Sequence, residues 1–517
     1  MNFQKKLIKR KEKYKNTSTR DSSRDKRIEM TIKISKDKRE NRLRKRRNLV
    51  QISQQKKIET STDQDEIPPV EDLPIFIEQV KSEELDVCYQ GTRAIRLLLS
   101  EETDPPIDLI LESGAPQYIA EFLLMDDYHN LQFESTWAIS NLCSDSTSQT
   151  KQIVDLGVIP KFVDLISSPD IRISEQAMWG LANIAGDNTL FRDRVLEQKN
   201  IIQNISNVFS RKDITINVAK TASWALSNLV EGVPRPKLEL VKDVVPIFKM
   251  LLNEDSLDLV IDACWAFSKI CQLNKEIINI ILASDIIPIF VDYLSAENIS
   301  LKEPSIRIIG ALLSGNHLQT EKVLEYQIID PLKVLISDKS VSIRYKAIWA
   351  ISNITAGSLE QIKKILTCGI IPLLVTLFKF DINPIKKEIC WALSNVVYSE
   401  YEENLRLLIK EGVCELFGES LSLPYVEVVQ IALESIIKLL KFGKAEAERT
   451  NSNYNEIAKK IIEINAAETI DNLQDDENKL IKSQAQHIIA NYLSNNEEDV
   501  DVDQLNESGE NKNTYEF

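Results

Sequence analysis

From about residue 74 to residue 495, apolar positions recur three and four residues apart, the period of helices that bury one face. The windows Ile159 to Ile166 and Ile173 to Ile184 show it, and each predicts a helix. A second mark recurs between such windows: Pro116, Pro160, Pro246, Pro288, Pro331 and Pro372, often preceded by Gly and apolar residues, as in Gly157-Val-Ile-Pro160 and Gly369-Ile-Ile-Pro372. Gly ahead of a Pro-led helix start is what a turn between stacked helices needs. Even the longest apolar stretches, such as Ile277 to Val291, are broken by charge, here Asp285, so the pattern predicts no membrane span.

All six Trp fall in one short motif: Trp137-Ala-Ile-Ser-Asn141, Trp179-Gly-Leu-Ala-Asn183, Trp224-Ala-Leu-Ser-Asn228, Trp265-Ala-Phe-Ser-Lys269, Trp349-Ala-Ile-Ser-Asn353 and Trp391-Ala-Leu-Ser-Asn395. The intervals are 42, 45, 41, 84 and 42 residues. The double interval conceals one repeat, because Arg307 lies 42 residues from both Trp265 and Trp349, in a similar setting that ends on Ala311. Period and helix content match armadillo or HEAT-type repeats, whose units bury their apolar faces only by stacking on neighbours. About ten such repeats fit. The expected fold is therefore all-α, an armadillo-repeat right-handed superhelical solenoid with a concave groove.

Composition agrees: 14 Gly and 17 Pro in 517 residues leave the chain rich in helix formers. Seven Cys without a Cys-x-x-Cys pair read as small core residues in a reducing compartment, not as a disulfide framework or metal site. His129, His317 and His487 are isolated, and no phosphate loop or nucleophile motif appears, so no catalytic residue, cofactor or metal is expected. Charge divides the chain. Residues 1–57 carry 22 Lys+Arg against 6 Asp+Glu, a net of +16, and the remainder carries 41 against 72, a net of −31, so the two parts should attract. Four regions follow: a flexible basic segment (1–57), an acidic Pro-containing linker (58–73), the repeats (74–495) and an acidic, Asn-rich tail (496–517) expected to be disordered. The polar, basic N-terminus lacks an apolar signal core, which predicts synthesis in the cytosol.

Trp and Asn four residues apart share one helix face. An Asn buried one turn from a Trp would be an unpaired polar group, so the pairs are expected on the groove surface. There a row of amides, each donating and accepting, can hold an extended main chain whatever its sequence. Successive indoles form slots for Lys or Arg stems, with a cation–π attraction of about 0.5–2 kcal/mol each. Carboxylates at the slot ends would choose cationic heads. Asp187, eight residues after Trp179, is best placed, with Glu175, Asp262 and Glu388 three or four residues before a Trp. Lys269 and Ala311 replace Asn in the middle, so the ladder is split and suits a ligand with two basic clusters.

Pro-Pro-Ile-Asp (105–108), Gln-Phe-Glu-Ser-Thr-Trp-Ala (132–138), Ile-Ser-Glu-Gln-Ala (173–177), Asn-Ile-Ala-Gly-Asp (183–187) and Ser-Asn-Ile-Thr-Ala-Gly (352–357) closely resemble strings of the importin α (karyopherin α) family. The resemblance covers nearly the whole chain. It implies a nuclear import adaptor, shuttling between cytoplasm and nucleus, that binds Lys/Arg-rich nuclear localisation signals of cargo proteins and links them to importin β. It places a major site on Trp137, Asn141, Thr150, Gln176, Trp179, Asn183, Asp187, Trp224 and Asn228, with Thr150 and Asp187 holding the key lysine. A minor site falls on Arg307, Trp349, Asn353, Glu388, Trp391 and Asn395. Three departures from the family pattern matter: Asp145 stands where Gly is usual and Glu231 where a basic residue is common, both adding negative charge near the major site, and Ala311 replaces Asn at the minor site's edge.

The basic segment resembles the family's importin-β-binding domain. Arg10, Lys13, Tyr14 and Lys15 match its first block, and Arg27 through Lys38, Arg39 and Arg42 its amphipathic helix. Arg44, Lys45, Arg46, Arg47 and Asn48 mimic a localisation signal, which implies autoinhibition by a tethered competitor. The last repeat, around Asn455 to Asn495, resembles the region taken by the family's export receptor with Ran-GTP, and nucleoporins stand as further partners. No small-molecule substrate is implied. Two other readings compete: a basic arm that touches nucleic acid, and an armadillo scaffold of the β-catenin kind with a basic groove for acidic partners. Interruption of the basic cluster by acids and the absence of an aromatic stacking series disfavour the first. The acidic repeats and the Trp/Asn ladder disfavour the second.

Overall fold

The computed structural model describes residues 66–101, 104–272, 275–399, 401–452 and 454–493, which are helical with no strand among them. The chain divides into two compact units, with the division along the repeats falling between Leu312 and Leu313. In the first, the ladder motifs lie on helices α2 (His129–Leu142), α3 (Ile171–Asp187), α4 (Ile216–Leu229) and α5 (Leu257–Ile270), preceded by α1 (Leu85–Leu99) and followed by α6 (Ile299–Leu313). From α1 to α5 each packs on the next. In the second unit α7 (Val341–Thr355) and α8 (Asn383–Val397) carry the remaining motifs, and α8 packs between α7 and α9 (Val426–Thr450). The fold is that of an all-α armadillo-repeat protein.

Shorter helices join the ladder helices, as Thr147–Asp155 and Val158–Leu165 do between α2 and α3. The turn between two such connectors needs a left-handed residue. Gly114, Gly157, Gly369 and Gly412 supply it at φ 77°, 74°, 73° and 88°. Where Gly is missing, Asn200, Asp285, Gln327 and Asn465 adopt the same conformation at φ 53–58°. Asp285 thus does more than interrupt an apolar run, since it turns the chain between helices that cross at 86°. No single helix among the described residues is long and apolar enough to cross a membrane. α3 begins before its apolar window because Asp170 accepts the Arg172 N–H at 2.9 Å and caps the helix.

The interior is close-packed. Phe248, Phe267 and Phe290 meet edge to face with ring centroids 6.1 and 5.4 Å apart. Gly180 interrupts the Trp-Ala pattern because a Cβ there would lie 2.5 Å from the Phe162 ring. Of the cysteines six are buried and Cys368 is half-buried, all as free thiols. Burial pushes Cys264, Cys390 and Cys414 up to about 12, so they stay protonated and inert near neutral pH.

The left-handed turns yield a two-signed expectation. Gly157→Ala forces a Cβ into φ 74° and should lower stability by about 1 kcal/mol, whereas Gln327→Gly, at an exposed position with φ 56°, should raise it by a similar amount. Urea unfolding measures both, and a Gln327→Gly chain less stable than the parent would contradict the turn assignment.

Candidate functional site

The asparagines of the ladder join repeats. The Nδ2 of Asn141 donates to the Leu99 carbonyl at 3.3 Å, that of Asn183 to Ser140 at 2.9 Å, that of Asn228 to Ala182 at 2.9 Å and that of Asn395 to Ser352 at 3.2 Å. Each bond reaches back one repeat. Asn183 and Asn353 are fully buried and Asn228 is half-buried. The expectation that a buried Asn would lack a partner is therefore corrected: a carbonyl of the preceding ladder helix, with its second lone pair, is the acceptor. Gly186 makes room for this contact at Asn228, whose Nδ2 would stand 2.9 Å from an added Cβ.

The indoles are not equally displayed. Trp179, Trp224, Trp265 and Trp349 are half-buried, but Trp137 and Trp391 are only 3% exposed. The guanidinium of Arg96 lies 4.2 Å from the Trp137 ring centroid and is held by Glu134 at 2.5 Å, in an ion pair with both side chains buried. Removing one partner of such a pair costs about 3–5 kcal/mol. Trp265 carries Arg307 over its ring at 5.7 Å. Trp179 and Trp224 touch, with centroids 5.1 Å apart and planes inclined by 57°. An alkyl stem between two rings needs about 7–8 Å, twice a carbon contact distance, so this slot opens only when one indole turns.

A carboxylate stands where α3 ends. Asp187 is the last residue of α3, at the negative end of the helix dipole, where a carboxylate is disfavoured by about 0.3–1 kcal/mol until a cation arrives. Its Oδ1 accepts from Thr147 at 3.3 Å and its Oδ2 from Asn188 at 2.8 Å. Thr150 donates to the Cys143 carbonyl at 3.4 Å, and the Cys143 thiol is pushed up by burial and then by the Asp187 charge. Asp145, half-buried, occupies the same turn.

The other carboxylates have different surroundings. Glu175, mostly buried, accepts from Thr221 at 3.2 Å, and Glu388, 1% exposed, accepts from Tyr345 at 3.1 Å. These two brace adjacent repeats instead of ending exposed slots; Asp262 is half-buried and Gln176 buried. Glu231 is paired with Lys269 at 2.7 Å, and the same ammonium donates to Ser227 at 3.0 Å. The added charge expected of Glu231 is thus offset by the lysine that replaces the fourth rung's asparagine. Near the second ladder Lys438 stands over Tyr398 at 4.5 Å, and Lys387 pairs with Glu427 at 2.6 Å. Reading by motif missed Arg96, Glu134 and Tyr345 as parts of the ladder, and it placed Lys269 on the fourth rung without its partner Glu231. Their signal was spacing: Arg96 lies 41 residues before Trp137, and Glu134 and Tyr345 lie within one turn of a Trp.

Arg10, Lys13, Tyr14, Lys15, Arg27, Lys38, Arg39, Arg42 and Arg44 to Asn48 lie outside the described residues, as does the tail from 496. Comparison with known proteins reaches part of that segment. The family model for the importin beta binding domain matches residues 10–93, and that for the armadillo/beta-catenin-like repeat matches 103–144, 146–186, 316–356 and 358–398. Importin subunit alpha-6 of Arabidopsis thaliana is 32% identical over 276 residues, 53% of this chain and 51% of that one. Importin subunit alpha-B of Dictyostelium discoideum is 34% identical over 274 residues, 53% and 52%. The chain thus spans about half the length of the curated relatives it matches. An engineered protein of known crystal structure aligns with a TM-score of 0.71 at 20% identity, over 81% of this chain and 98% of its own, which speaks to the fold alone.

The inter-repeat bonds separate two roles for asparagine. Asn183→Ala should lower stability by about 1–3 kcal/mol, because the Ser140 carbonyl loses its buried donor. An Asn that served only a ligand would leave urea unfolding unchanged, and that result would contradict the bracing role.

Proposed function

The chain belongs to the importin α family, and from that premise we propose that it is a nuclear import adaptor: it holds Lys/Arg-rich localisation signals of cargo proteins on its Trp/Asn ladders and hands them, with importin β, into the nucleus. The observation that carries this reading is the carboxylate at the end of α3, where Asp187 closes a helix bearing Trp179 and Asn183. A lysine head at Asp187 relieves the helix-end charge, while its stem lies along Trp179 or Trp224 once their contact opens. One such contact is weak when exposed, so affinity comes from several rungs in series.

Braced asparagines give the ladder a fixed geometry, which lowers the ordering cost when an extended peptide lies along it. Trp349, Asn353, Trp391 and Asn395 in the second unit form the minor site and serve a second basic cluster. Glu388, committed to Tyr345, acts there by positioning. The basic segment from Arg10 to Asn48 binds importin β, and its Lys45-Arg46-Arg47 run competes with cargo for the acidic groove until importin β removes it. In the same scheme the repeat around Asn455 to Asn495 receives an export receptor with Ran-GTP, nucleoporins add contacts, and the protein shuttles between cytoplasm and nucleus. A scaffold for acidic partners would need a cationic face at the end of α3, where Asp187 stands instead.

A titration with a Lys-Lys-Lys-Arg-Lys peptide tests the scheme. Deleting residues 1–60 should tighten binding about tenfold in the absence of importin β, and Asp187→Lys should weaken it by at least about tenfold, the 1.4 kcal/mol that reversal of a close charge pair exceeds. Unchanged affinity after Asp187→Lys would sink the assignment of the site.

A further inference from the structure

The first ladder has two electrically unlike ends. At one, Asp187 sits at the C-terminus of α3 and accepts from Thr147 and Asn188, with Asp145 half-buried in the turn after α2. At the other, two repeats on, the ladder carries two cationic side chains. Lys269 takes the place of the rung's asparagine, and Arg307 lies over Trp265. One carboxylate, Glu231, bridges to Lys269 at 2.7 Å. Lys269 is also tied to the Ser227 hydroxyl, so its ammonium is held at the rung and not swept into solvent. The Glu231 carboxylate is more than half exposed and the Lys269 side chain about a quarter, so an incoming group can exchange into the pair.

We propose that this end of the ladder is an anion-accepting subsite, and that Lys269 is a specificity-determining residue that favours signals in which a basic cluster is accompanied by an acidic side chain at a fixed distance. The inference rests on the reading of the ladder as a peptide site. A ligand glutamate or aspartate there takes over the place of Glu231 on Lys269, whereas a ligand lysine would have to displace Lys269 from Glu231. Ladder helices that pack at about 8–10 Å put Asp187 and Lys269 roughly 16–20 Å apart. At about 3.3 Å per extended residue, the acidic side chain stands five or six residues from the lysine bound at Asp187.

The test uses the full chain and six peptides, with Glu, Ala or Lys at the probed position on either side. Two carry one Lys-Lys-Lys-Arg-Lys cluster with a Glu five or six residues from the central lysine, on the amino or the carboxyl side, and each has an Ala and a Lys counterpart. One of the Glu peptides should bind about threefold to fivefold tighter than its Ala counterpart, the range of a part-exposed ion pair. Lys269→Gln, which keeps a donor for Ser227, should abolish that preference, and Lys269→Glu should reverse it, with Lys in place of the peptide's Glu restoring tight binding. Equal binding of Glu and Ala peptides on both sides, or a preference that survives Lys269→Glu, would overturn the subsite while leaving the peptide reading intact. Failure of every cluster peptide to bind would overturn both.

Discussion

One hydrogen bond recurs through the protein and the ladder depends on it: an asparagine amide on one helix donates to a carbonyl of the helix one repeat earlier, at Asn141, Asn183, Asn228 and Asn395. Stacked repeats have little long-range packing to hold their register, because each touches only its neighbours. A buried directional bond supplies what apolar contact cannot, a fixed rotation of one repeat against the next. The indoles one turn away take their places from the same helices, so spacing between slots is a consequence of bracing between repeats.

Charge follows the same economy of short range. Cations beside the ladders have partners within the chain: Arg96 with Glu134 on Trp137, Lys269 with Glu231, Lys387 with Glu427. These pairs set which rungs present a net charge. Asp187 differs from them in that its two oxygens accept from neutral groups, Thr147 and Asn188, at a helix end whose dipole adds to its charge. A ligand cation there gains from the carboxylate and the helix end together.

Much of this was legible in the sequence, because the repeat is local. The Trp intervals gave the repeat length, and the Gly-x-x-Pro marks gave the connector turns, down to Gly157 and Gly369 at positive φ. The substitutes Asn200, Asp285, Gln327 and Asn465 were not legible as turns, since their residue types tolerate several conformations and only repeat alignment singles them out. The sites were less legible than the fold. An Asn next to a Trp reads as exposed when single helices are considered, and the carbonyl that satisfies Asn183 lies 43 residues away. Glu388 and Glu175 likewise look like slot carboxylates until Tyr345 and Thr221 of neighbouring repeats are placed against them. Pairing across repeats, as in Lys269 with Glu231, depends on how consecutive helices stack, which residue pattern alone does not specify.

On the proposed function, a basic peptide is held by separating Trp179 from Trp224. With fluorinated tryptophan incorporated into the chain lacking residues 1–60, the six indoles give six fluorine resonances to follow during titration with a Lys-Lys-Lys-Arg-Lys peptide. The resonances of Trp179 and Trp224 should move together and saturate with the binding curve, while that of Trp137, stacked under Arg96, should move least. Saturable binding that leaves Trp179 and Trp224 unmoved would contradict the account.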